Sequence, residues 1–85
     1  MRKIHLPHEY ALILQEVEER EGDYLNNLAE SLRFDRDRLM HILRTLQHKR
    51  LITVSRKTHE TFVTLTRRGH RFVDSIWQQP NFAAN

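Results

Sequence analysis

No cysteine occurs in the chain. Disulfides, thiolate metal sites and cysteine nucleophiles are therefore excluded, and the absence fits a cytoplasmic protein. Glycine is nearly as scarce, with Gly22 and Gly69 the only two, so no phosphate-cradling glycine loop is available. Pro7 and Pro80 are the only prolines, which leaves the stretch between them free to form regular structure. The longest uninterrupted apolar run is Ala11 to Leu14, far short of the ~20 residues that span a membrane as a helix. Met1-Arg2-Lys3-Ile4-His5 is basic but lacks an apolar stretch, so no secretory signal is visible. Ser31, Ser55 and Ser75 sit in no nucleophile-elbow sequence. Of the six histidines, His5 and His8 stand i, i+3 and His41 and His48 stand i, i+7. Neither spacing matches a zinc motif such as His-Glu-x-x-His. The chain reads as a non-enzyme that carries no metal or other cofactor.

What the chain does have is charge, unevenly placed. The net charge is +3 over 85 residues. Residues 1–32 hold three basic and seven acidic side chains, net −4, whereas residues 33–71 hold eleven basic and three acidic, net +8. Asp74 is the only charged residue after that. A basic segment on a small fold is the electrostatic footprint of a polyanion partner. At 39% hydrophobic and 29% charged residues, the composition is that of one ordinary soluble domain.

The segment from Leu28 to Ile52 organises the rest. Leu28, Ala29 and Leu32 share one helical face, and after Arg33-Phe34-Asp35 the apolar set resumes at Leu39, Ile42, Leu43 and Leu46. That spacing is i, i+3, i+4, i+7, the stripe of a second helix from about Arg36 to Lys49. Asp35 is placed to cap it. Before this pair, Tyr10, Ile13, Leu14 and Val17 form the inward stripe of a first helix, started at Pro7 and ended at Gly22. Asp23 is a candidate cap for the helix from about Tyr24 to Leu32. Strands are expected at Leu51 to Ser55 and Thr61 to Leu65, with Arg56-Lys57-Thr58-His59-Glu60 as the tip between them. Thr66 would cap a last helix, from Arg67 to about Gln79, with Phe72, Val73, Ile76 and Trp77 on its apolar face. The expectation is a mainly α fold with a small β-hairpin: three helices, two strands, then a fourth helix. One domain would cover residues 1–79, with an arm at Met1 to Leu6 and a flexible tail at residues 80–85.

These segments resemble the winged helix-turn-helix domains of small prokaryotic regulators, such as the multiple-antibiotic-resistance-regulator class. That pattern is Leu-Ala-x-x-Leu, a turn, an apolar-spaced helix, then Leu-x-x-Lys-Gly-Leu-Ile. Leu46-Gln47-His48-Lys49-Arg50-Leu51-Ile52 fills its last part, and Val63-Thr64-Leu65-Thr66-Arg67-Arg68-Gly69 resembles the family's closing Val-x-Leu-Thr-x-x-Gly. The resemblance covers roughly residues 10 to 77 in order. The family usually carries glycine where Arg33 and Arg50 stand. Such positions often need positive φ, which costs a non-glycine residue roughly 1 kcal/mol. An altered turn and cap, or mild strain, is therefore expected at both.

The resemblance implies sequence-specific binding of double-stranded DNA, with the helix at 36–49 in the major groove and the wing at 55–61 beside it. Arg36 and Arg44 reach far enough to donate to guanine edges, His41 can donate to guanine or phosphate, and Met40 can touch a thymine methyl. Arg33, Arg38 and Thr45 would contact phosphates, and Arg56, Lys57 and His59 the flanking backbone or minor groove. The terminal helices of such regulators often build a dimer interface, which nominates Tyr10, Phe72, Val73, Ile76 and Trp77 for a homodimer. The alternatives are a winged-helix adaptor in a larger assembly, for which an acidic first helix beside a basic face would suit docking, and RNA binding. Paired aromatics on a sheet and a GXXG loop, the usual RNA signatures, are not visible in the sequence.

Overall fold

Residues 7–77 are described by a computed structural model, with the side chain of Trp77 outside that description. The elements are α1 (His8–Arg20), β1 (Asp23–Tyr24), α2 (Leu25–Leu32), α3 (Arg36–His48), β2 (Ile52–Lys57), β3 (Glu60–Leu65) and α4 (Arg67–Trp77). The expected arm at Met1 to Leu6, the domain end at residue 79 and the tail at 80–85 lie outside the described residues.

Each helix forms where its apolar stripe predicts. Pro7 stands at the N-cap of α1, where its carbonyl accepts from the Tyr10 and Ala11 amides at 3.0 and 3.3 Å. A missing N–H costs nothing there, because the first amides of a helix have no partner within it. Glu21 takes the left-handed cap at φ 54°, and the Gly22 amide donates to the Val17 carbonyl at 2.9 Å. Asp35 caps α3, its carboxylate accepting from the Arg38 amide at 3.3 Å. Leu39, Ile42, Leu43 and Leu46 of α3 are buried with Ile13, Leu14 and Val17 of α1 and Leu25 and Leu28 of α2.

The sheet contains the expected hairpin and adds a strand to it. A third strand, β1, pairs antiparallel with β3 through Asp23↔Val63 and Tyr24↔Phe62, giving the order β1-β3-β2. Two residues carry no periodicity of their own. Gly22, at φ 106°, turns the chain so that they fall beside β3, and a Cβ there would come within 2.7 Å of Phe62 Cζ. Asp23 is consequently a strand residue, and the α2 N-cap is Tyr24, whose side chain makes no capping bond. One oxygen of the buried Asp23 carboxylate accepts from the Tyr24 amide at 2.8 Å and from Asn27 Nδ2 at 3.1 Å. The other faces Arg20 Nε at 3.5 Å.

The hairpin is also longer and tighter than expected. β2 and β3 pair from Ile52↔Leu65 out to Lys57↔Glu60, leaving Thr58 and His59 as the whole turn. Both have positive φ, 51° and 67°, which is the backbone that matches the twist of a two-residue hairpin. Arg33 and Arg50 likewise adopt the left-handed conformation, at φ 58° and 63°. The turn and cap geometry that glycine usually supplies is thus kept without it.

At the base of the hairpin α4 closes over the core. Thr66 donates its amide to the Leu51 carbonyl at 3.1 Å and its hydroxyl to the Arg50 carbonyl at 2.7 Å, while Oγ1 accepts from the Gly69 amide at 3.0 Å. These bonds seat Gly69 directly against the Leu51 backbone. Val73, one turn further on the same face, is 1% exposed and belongs to the core.

Candidate nucleic-acid interface

With the α3 stripe facing inward, the opposite side of that helix is open. Arg36, Asp37, Arg38, His41, Arg44, Gln47 and His48 are exposed. Among the described residues Arg36, His41 and Arg44 join no ion pair. They occupy one face because 36, 40, 41 and 44 recur at helical spacing. Met40, expected on this outward row, is half-buried and packs against the core. Only part of its side chain is therefore available to a ligand, since it sits at the boundary between the buried stripe and the open face.

The three residues nominated for phosphate differ in their surroundings. Arg33 is exposed at the left-handed turn residue between α2 and α3. Arg38 forms an ion pair with Glu9, tying the first turn of α3 to the first turn of α1. Both groups of that pair stay accessible, at 57% and 40% side-chain exposure, so solvent screens the contact and a phosphate can compete for it. The Thr45 hydroxyl donates within the helix, to the His41 carbonyl at 3.3 Å.

On the wing, Arg56 and Lys57 lie in β2 rather than in the turn, and His59 alone of the three stands at the tip. All three are exposed. Successive strand residues face opposite sides, so Arg56 projects on the side of Val54 and Lys57 on the outer side. Lys57 Nζ lies 4.2 Å from the centre of the Phe62 ring. Phe62 meets Tyr24 edge-on, with centroids 5.0 Å apart and planes at 68°. The sheet therefore does carry a pair of aromatics, contrary to the reading of the sequence. Pairing across β1 and β3 creates it, and no local pattern announces it. Edge-on rings, one of them under an ammonium, do not offer the two parallel faces on which successive bases stack.

Opposite in character is α1, where Glu16 accepts from Arg20 Nε at 2.7 Å. This hydrogen bond, aided by the charge of Glu16, raises the Arg20 guanidinium above its ordinary pKa. Glu18 faces His70 of α4 at 3.6 Å.

The residues nominated for a dimer do not share one environment. Tyr10 and Phe72 are partly buried against the core, Ile76 is half-buried, and Val73 is fully inside. Val73 is therefore corrected from an interface residue to a core residue, because Gly69 docks the same helical face onto Leu51. Trp77 ends α4, and its side chain lies outside the described residues.

Sequence reasoning also assigned no ligand contact to Lys49, Arg50, Arg67, Arg68 and Arg71, all of which are exposed. The Thr66–Arg50 bond brings the end of α3 beside the start of α4. Only the overall charge count pointed to them. No helix among the described residues is long and apolar enough to cross a membrane.

No protein-family model matches this chain, and no curated protein matches it in sequence. Solved structures match it in fold. BpsR of Bordetella bronchiseptica, whose DNA binding is regulated by 6-hydroxynicotinic acid, aligns with a TM-score of 0.80 at 20% identity, covering 93% of this chain and 56% of that one. A mutant of MarR from E. coli complexed with operator DNA gives 0.82 at 17% identity, over 86% of this chain and 54% of that one. A mutant of S. aureus MepR bound to an oligodeoxyribonucleotide gives 0.79 at 21% identity, over 82% and 54%. The chain spans about half the length of the structures it matches. The likeness establishes the winged helix-turn-helix fold, with β2 and β3 as the wing.

Proposed function

We propose that this chain binds double-stranded DNA sequence-specifically as the reading domain of a transcriptional regulator. One observation supports this above the others: α3 presents Arg36, His41 and Arg44 on one exposed face, joined to no carboxylate among the described residues. On this reading α3 enters the major groove, where Arg36 and Arg44 donate to guanine O6 and N7. Met40 contributes through its exposed part. Arg33, Arg38 and Thr45 lie against phosphates and set the register, Arg38 exchanging Glu9 for a phosphate oxygen. Arg56, Lys57 and His59 extend the contact to the flanking backbone or minor groove. Solved structures of the same fold include regulators bound to DNA, which is consistent with this use and with a role other than catalysis.

The same reading makes the regulator a cytoplasmic homodimer. Tyr10, Phe72, Ile76 and Trp77 on α1 and α4 remain its interface, with Val73 removed. Two-fold pairing would set two α3 helices about 34 Å apart on a palindrome-like site.

Fluorescence anisotropy of a labelled mixed-sequence duplex, titrated at several salt concentrations, tests the proposal. A slope of log K against log salt of about −5 or steeper is expected, corresponding to about six phosphates at ~0.9 each. Absence of binding at low salt refutes duplex recognition by this chain and favours the adaptor role.

A further inference from the structure

Lys57, exposed on the wing, stands over an aromatic ring from the neighbouring strand. It sits diagonally across the register from Phe62, which pairs directly with Ser55, a separation that a long side chain bridges. Its ammonium stands 4.2 Å from the ring centre, where the negative face of the aromatic quadrupole attracts a cation. The ring is itself fixed on two sides. Tyr24 meets it edge-on at 5.0 Å, and it lies so close to the Gly22 backbone that a Cβ there would approach Phe62 Cζ to 2.7 Å and Cε2 to 3.0 Å. Gly22, Tyr24 and Phe62 thus pack together as a seat at the junction of β1 and β3, with the cation at its outer surface.

We propose that Phe62 is a positioning residue for nucleic-acid binding, presenting the Lys57 ammonium to a phosphate of the duplex. The inference rests on the duplex-binding reading above. A free lysine has four rotatable bonds and loses much of that freedom when it docks. A lysine already held on a ring has lost part of it beforehand, so less is lost on binding. The seat is built from β1 and β3, so the outer side of the wing carries a pre-placed cation, whereas no ring stands over Arg56 on the other side among the described residues.

The test compares Phe62→Leu, Lys57→Gln and the double variant of the full chain by anisotropy on one duplex at several salt concentrations. Phe62→Met serves as a second ring-free variant, and the melting temperature of each is recorded. Lys57→Gln is expected to reduce the steepness of the salt slope by about 0.9, one phosphate contact. Phe62→Leu should weaken binding about two- to five-fold while leaving the slope intact, because the charge is still present. In the Lys57→Gln background it should change nothing. NMR should show the Lys57 ε-methylene protons shifted upfield by the ring in the unaltered chain and returned to ordinary positions in both ring-free variants. Equal weakening by Phe62→Leu in both backgrounds would mean that the ring merely supports the fold, and overturns the proposal. Unchanged affinity in Phe62→Leu and Phe62→Met overturns it too, while leaving the duplex reading in place. Failure of the unaltered chain to bind any duplex overturns both.

Discussion

Replacing Gly69 with alanine adds one methyl group where α4 lies against the Leu51 backbone. An added Cβ would lie 2.1 Å from the Leu51 carbonyl oxygen, 3.1 Å from its carbon and 3.3 Å from Leu65 Cδ2. A carbon and an oxygen ordinarily approach to about 3.3 Å, so a gap of about 1 Å must open. The obstacle is backbone, and it is held from several sides. The same Leu51 oxygen accepts the Thr66 amide at 3.1 Å, the Leu51 amide donates to Leu46 at 3.0 Å, and the side chain is 0% exposed. Moving α4 away instead strains the Thr66 hydroxyl bond to Arg50 and lifts Val73 from the core. Alanine gains at most about 1 kcal/mol over glycine in a helix, the full amount applying to the interior rather than to the first turn where Gly69 stands. Against this stand overpacking, about 1–3 kcal/mol, and two weakened hydrogen bonds, about 1 kcal/mol each. The net loss is about 2–4 kcal/mol, or roughly 10–25 °C in Tm for a domain of this size. Thermal and urea unfolding followed by circular dichroism measure it. An unchanged or higher Tm would show that helix propensity outweighs the contact, and would refute the reasoning.

Five other substitutions separate local conformation from recognition. Arg33→Gly and Arg50→Gly relieve left-handed backbone at φ 58° and 63°, so each should stabilise the chain by about 0.5–1 kcal/mol; urea midpoints that fall or stay fixed would contradict this. Asp35→Ala removes the carboxylate that caps α3 and should cost about 1 kcal/mol, read from the same curves. Arg44→Ala should lose about 1–3 kcal/mol of binding to a selected site and relax its specificity, whereas Lys57→Ala should weaken all duplexes alike. If Arg44→Ala binds every sequence as before, α3 is not the reading element.

The helices and their inner faces could be read from the sequence because each rests on short-range information. The stripe at Leu39, Ile42, Leu43 and Leu46, the cap at Asp35 and the breaks after Arg20 and Leu32 are all encoded within a few turns of chain. The basic stretch from Arg33 to Arg71 was equally legible, since charge counts need no fold. The left-handed turn residues were legible only through the family pattern, because arginine by itself gives no such signal. Thr58 and His59 gave none either, and that is why the strands ran further toward the tip than expected.

What the tertiary structure decided was which distant segments meet. β1 exists only because Gly22 lays Asp23 and Tyr24 beside β3, and that pairing makes the Tyr24–Phe62–Lys57 cluster. Gly69 against Leu51 sets the rotation of α4, which takes Val73 into the core and out of any interface. Met40 was legible as a helix residue, but its half-burial depends on the elements packed beside it. The Arg38–Glu9 pair likewise joins two helix starts far apart in the chain. The physical reason is the same in each case. Periods of 3.6 and 2 residues fix which face of a segment is apolar, while the partner of a polar or boundary side chain depends on where another segment has packed.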